Sequence, residues 1–346
     1  MSLKSSKLVR KDKVNSILLF YPPEVLLNNC LEKEVQRMFY PLNCLLLLFF
    51  SPKYAIQDNY ITPNGLKRNL MCCFSVFFII VHSFYDMYVD YISYGSIFVV
   101  IVFNFTYMYF AFGLIMLFIL NIVHSQNNIL LIKIFHFIHN SLNSKNVKSF
   151  IKWNWITVIN IFSVNLFIYV AFYATFNFSF LTLIRTLLYT TFDTNILYAI
   201  RVLILLTKYV NEWIKKILKL RDEQENDLMI NNDDCCMKLF SIYQNILEAY
   251  KLYKKRYFTV VGFFKCSLPH NFFFQCEKFY LAIQEAETLS SICYPLLRLC
   301  KKVLQANRSF SKMSACGLFY VDATLPICFM GLLASYVIVL LQFAFL

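Results

Sequence analysis

The chain has 346 residues, of which 59% are hydrophobic, 18% aromatic and 15% charged, and its mean hydropathy is +0.55. That much apolar surface exceeds what one water-soluble core of this size encloses, and 37 Phe and 23 Tyr against 6 Gly and 8 Pro exclude collagen-like, linker-rich and disordered classes. What remains is an all-α transmembrane protein, in which the excess of 33 Lys and Arg over 20 Asp and Glu is read by position along the chain and not as a nucleic-acid footprint.

Residues 1–68 form an N-terminal segment with Lys4, Lys7, Arg10, Lys11 and Lys13 near its start and no small-residue cleavage site after them, so no secretory signal is expected. Within it, 38–56 is apolar but carries Pro41 and Pro52, which predicts an interfacial amphipathic element and no crossing. A crossing needs about 20 residues at 1.5 Å each. Four stretches in 69–210 meet that length, at 69–90, 97–123, 154–179 and 183–208, and a fifth lies at 319–346.

The intervening segment 211–318 is expected to be cytosolic. It opens with a basic helix carrying Lys215, Lys216, Lys219 and Arg221, passes through RDEQENDLMINNDD, read as a flexible loop, and continues with Leu239, Ile242, Ile246, Leu247 and Tyr250 at helical spacing. A second amphipathic run covers about 276–304, and the apolar stretch 257–283 is interrupted by Lys265, Pro269, Glu277 and Lys278.

Basic residues resist translocation, so their distribution sets the threading. Ten fall in 1–68, four in 124–153 and sixteen in 209–318, whereas 91–96, 180–182 and the C-terminal end have none. An odd number of spans then places the N-terminus in the cytosol and the C-terminus outside, the reverse of a G-protein-coupled receptor.

Chemistry-bearing patterns are sparse. The twelve Cys include no C-x-x-C pair and read as reduced thiols. His136 and His139 form an H-x-x-H, with only His82, His124 and His270 besides, too few for a membrane metal centre. His82 and Asp86 stand four apart, an acid–base spacing that a polar contact between helices also explains. There is no G-x-S-x-G, Walker loop or G-x-G-x-x-G. The expectation is a protein that is not an enzyme and has no metal or cofactor.

Two features point elsewhere. Asp193 lies deep in the fourth span, where a lone carboxylate costs several kcal/mol, so it either makes a structural hydrogen bond, for example to a Tyr, or meets a ligand or water. In the last span Ser335, Val339 and Gln342 share one helical face, a narrow polar stripe that packs on polar partners or lines an aqueous path.

That span reads Ser335, Tyr336, VIVLL, Gln342, Phe343, and it resembles the signature of the insect gustatory receptors, T-Y, five apolar residues, then Q-F, with Ser for Thr. Upstream, Ala315, Gly317, Phe319, Asp322 and Leu325 match the family's A-x-G-x-F-x-x-D-x-x-L. The resemblance implies a chemically gated, non-selective cation channel subunit in the plasma membrane of sensory neurons, assembled as a homo- or hetero-tetramer and opened by a small-molecule tastant. It implies that Gln342, Ser335 and Val339 line the pore and that Tyr336 packs against neighbours. No motif marks the ligand-binding residues. The family has seven spans, and its fifth and sixth would fall near 258–276, which is too short for two crossings. The alternative is therefore a shortened, non-conducting receptor-like protein that acts by subunit association.

Overall fold

The computed structural model describes residues 29–57, 59–93, 97–143, 147–176, 180–225, 232–263 and 270–292, together with 303, 305–306, 314–315 and 319–320. The chain is mostly helical. In order, the elements are α1 (Lys33–Leu48), β1 (Ala55–Gln57), β2 (Tyr60–Thr62), α2 (Leu66–Ser93), α3 (Ile97–Val123), α4 (Ser125–Leu142), α5 (Val147–Phe176), α6 (Phe180–Glu225), α7 (Asn232–Phe263), α8 (His270–Ile292), β3 (Ser314–Ala315) and β4 (Phe319–Tyr320).

The α1 helix is amphipathic: Val35, Met38, Phe39, Leu42, Leu45 and Leu46 recur at three- and four-residue spacing and are buried, while Lys33, Arg37 and Tyr40 face outward. The interruption expected at Pro41 does not occur. The helix runs through the buried ring and forgoes one backbone bond to the Arg37 carbonyl. It ends where Phe50 takes a left-handed conformation (φ 53°), with Phe50 N–H donating to Leu47 O at 3.2 Å and Ser51 N–H to Leu46 O at 2.8 Å. This Schellman-type closure satisfies the terminal carbonyls and turns residues 51–54 into the interior. The β1–β2 hairpin follows, with Asn59 left-handed at its turn (φ 67°).

The α6 helix is the axis of the fold. It is 46 residues long, about 69 Å at 1.5 Å per residue, contains no Gly or Pro, and touches each of the other seven helices among the described residues. From Thr194 to Leu206 nearly every side chain is buried, and Trp213 donates from its ring nitrogen to Leu239 O of α7 at 2.8 Å. A helix apolar on all sides needs neighbours on all sides. Around it, α2 packs with α3, α1 with α5, α4 with α7, and α8 lies along α6.

Among the described residues, three helices are long and apolar enough to cross a membrane: Leu66–Val89, Val147–Thr175 and Leu187–Leu220. A fourth candidate joins Tyr107–Val123 to Ser125–Leu142 through a 64° bend. Only 6% of the α5 stretch is buried inside the bundle against 78% of the α6 stretch, so α5 presents its apolar surface outward and α6 is enclosed. The fifth expected span, 319–346, lies outside the described residues except for Phe319 and Tyr320.

Several boundaries differ from the sequence-based expectation. Residues 124–153 hold a buried helix, α4, because Ile129, Ile132, Phe135 and Ile138 repeat at helical spacing toward α6 and α7. The polar stretch RDEQENDLMINNDD is helical at both ends, through Glu225 and again from Asn232. The run 257–283 divides between the end of α7 and the start of α8, just after Pro269, and Pro is compatible with a position ahead of a helix but not inside one. Only residues 264–269 separate those helices, so no pair of crossings fits there.

Candidate functional site

Polar side chains in the bundle gather on α6 at successive depths. Near its start, Arg185 pairs with Asp86 of α2, and His82 Nδ1 lies 3.1 Å from the same carboxylate oxygen. The guanidinium stands 5.0 Å from the Tyr107 ring centre and 6.0 Å from that of Tyr189. The acid–base spacing of His82 and Asp86 thus becomes a polar contact on α2 that Arg185 ties to α6. In a medium of low dielectric each charge needs the other, since removing one leaves an uncompensated ion.

One turn further along, the Tyr169 hydroxyl of α5 lies 2.6 Å from Thr190 Oγ1, and Thr190 also reaches Asn165 Oδ1 at 3.3 Å. Asp193 is on the adjoining turn, exposed at the surface of the bundle, and makes no side-chain hydrogen bond among the described residues. The Tyr169 hydroxyl of α5 is engaged by Thr190.

The largest constellation lies deeper and is built by the turn that closes α1. Lys53, fully buried, donates to Asn195 Oδ1 at 2.6 Å, and its ammonium stands 4.9 Å over the Tyr198 ring. Asn195 Nδ2 donates to Ser51 Oγ at 3.0 Å and to Thr191 O at 2.8 Å. Ser51 Oγ also accepts from Asn121 Nδ2 of α3 at 2.9 Å, and Asn121 Oδ1 accepts from Arg256 of α7 at 2.6 Å. Asn128 of α4 donates to Lys53 O at 3.3 Å and Thr191 to Phe49 O at 2.9 Å. Burial, reinforced by nearby Arg256, holds the Lys53 ammonium well below its ordinary range. A cavity of about 20 Å³, room for roughly one water, adjoins the network and is lined by Ser51, Ser75, Asn121 and Thr191 among apolar neighbours.

A smaller relay fixes α1 against α5 and α6: Arg201 Nε donates to Asn154 Oδ1 at 2.6 Å, and Asn154 Nδ2 donates to Met38 O at 2.8 Å. The H-x-x-H of α4 has a similar role. His139 Nε2 is 3.4 Å from Glu34 Oε2, and the Glu32 backbone N–H donates to His136 Nε2 at 3.4 Å. No group of three potential metal ligands occurs among the described residues.

These contacts hold seven elements in one register. The predicted pore face, Ser335, Val339 and Gln342, lies outside the described residues, as do Gly317, Asp322, Tyr336 and Phe343. Ala315 pairs with Phe319 in the short β3–β4 ribbon. Sequence inspection passed over Asn121, Asn195 and Arg256, which are polar residues within helices, and Lys53, which lies in the segment between α1 and β1. That signal was present but did not specify partners. Compared with protein-family models and with curated proteins, the chain matches none.

Proposed function

We propose that the chain is a gustatory-receptor-like, chemically gated, non-selective cation channel subunit of the plasma membrane of sensory cells. The observation that carries this is the paired signature, Ala315, Gly317, Phe319 and Asp322 followed by Ser335, Tyr336, Gln342 and Phe343 at the family's spacing. Several apolar helices compatible with a multi-pass membrane protein support it. On this reading five helices cross, the N-terminus is cytosolic, the C-terminus is outside, and four subunits place Ser335, Val339 and Gln342 around a central path. The inside-positive distribution of Lys and Arg supports that orientation.

The test is expression in a cell without endogenous chemoreceptors, followed by recording of tastant-evoked current. Gln342→Glu and Gln342→Ala are expected to change reversal potential and pore block. Current with both unchanged would remove Gln342 from the pore. An epitope after Leu346 is expected to stain on intact cells and one at Met1 only after permeabilisation.

A second reading is favoured by the junction at 264–269: the family's two extra spans have no room between α7 and α8. A protein lacking them would act by associating with other subunits. Cross-linked oligomers without evoked current would favour this reading over conduction.

A further inference from the structure

We propose that the seam between α1 and α5 is a docking site for an anionic phospholipid headgroup. The inference rests on the membrane reading of α5 but not on conduction. Both helices carry the same sequence of groups along their exposed faces. On α5 these are Lys148, Lys152 and then Trp153 and Trp155; on α1 they are Lys33, Arg37 and then Tyr40. The aromatic members meet, with Tyr40 and Trp155 ring centres 6.2 Å apart, and Tyr40 (54%), Trp153 (57%) and Trp155 (41%) remain open to the surroundings. The helices begin at the same end, because Glu32 and Glu34 of α1 reach Asn140 and His139 of α4 just before the turn into α5. Those contacts also draw the two carboxylates toward α4.

Depth follows from length. Trp155 to Thr175 is about 30 Å of helix, the thickness of a hydrocarbon core. Trp153, Trp155 and Tyr40 therefore stand at its boundary, where amphipathic rings settle; Arg37 and Lys152 lie within about one turn of those rings and Lys148 one to two turns beyond them, toward phosphate level. Basic side chains there lay their stems along the aromatic rings and direct their charge to the headgroups, and each attracts an acidic surface. The charge distribution assigns this end to the cytosolic leaflet, the one that carries acidic lipid.

The chain has three Trp, and the third, Trp213, is fully buried, so quenching of its fluorescence by lipid reports this seam. The full chain is reconstituted in phosphatidylcholine vesicles with a minor fraction of either dibrominated phosphatidylserine or dibrominated phosphatidylcholine. Stronger quenching by brominated phosphatidylserine is expected. The preference, from titration of the brominated lipid, is expected to fall about fivefold for Lys152→Gln alone and to vanish in Arg37→Gln/Lys148→Gln/Lys152→Gln. Equal quenching by both lipids in the unaltered chain, or an undiminished preference in the triple variant, would overturn the proposal. Quenching by neither lipid would overturn the membrane reading itself.

Discussion

At the scale of single residues, the most consequential group is Lys53. A buried lysine with a depressed proton affinity makes folding stability depend on pH in a direction that can be worked out. Between its folded value and the ordinary 10.5, the unfolded chain takes up a proton that the folded chain does not, so stability falls as pH drops through that window. In detergent, the melting temperature of the protein is expected to fall on going from alkaline toward neutral pH, and Lys53→Met is expected to flatten that slope. An equal slope in both would show that Lys53 is not the titrating group. The Arg185–Asp86 pair predicts a different signature. Asp86→Ala or Arg185→Ala alone is expected to cost about 3–5 kcal/mol by stranding the remaining ion, while Asp86→Ala with Arg185→Ala costs less than the sum. Additive losses in a double-mutant cycle would contradict the pairing.

At the scale of elements, Asn154 joins three helices through two hydrogen bonds, and one of its partners is a guanidinium. Asn154→Ala is expected to destabilise the fold by about 2–3 kcal/mol. Faster proteolysis or hydrogen exchange of α1 than of α7 would locate the loss. What the sequence made legible at this scale was the helical character of the long apolar runs between residues 69 and 208, and the amphipathic character of the segment around Met38 to Leu46. The continuation of α1 through Pro41 was not legible, because it depends on the buried face of α1 packing against α5 and α6. The division of 257–283 at Pro269 was visible as a break but not as a join between two helices. Of the candidate site, the contact between His82 and Asp86 could be anticipated from spacing. Arg185, Asn195 and Arg256 could not be assigned partners, because those lie on segments more than 90 residues away in sequence. The pore face falls beyond the described residues and stands on its resemblance alone.

At the scale of the whole molecule, exposure has two meanings, water and lipid, and cysteines distinguish them. Cys73 is exposed on α2 within the candidate span, whereas Cys235 is exposed on α7 beyond the spans. In variants keeping one cysteine each, a membrane-impermeant maleimide is expected to label Cys235 only after permeabilisation and Cys73 hardly at all. Labelling of Cys73 at a comparable rate would place α2 in water. The uninterrupted course of α6 has a mechanical corollary. With no glycine or proline along it, the helix has no hinge of its own, and a tilt of about 5° about one end displaces the other by roughly 6 Å over its length. Any tilt imposed at the Arg185 terminus would therefore have to carry the Trp213 segment with it as one body, together with the helices packed around Thr194–Leu206.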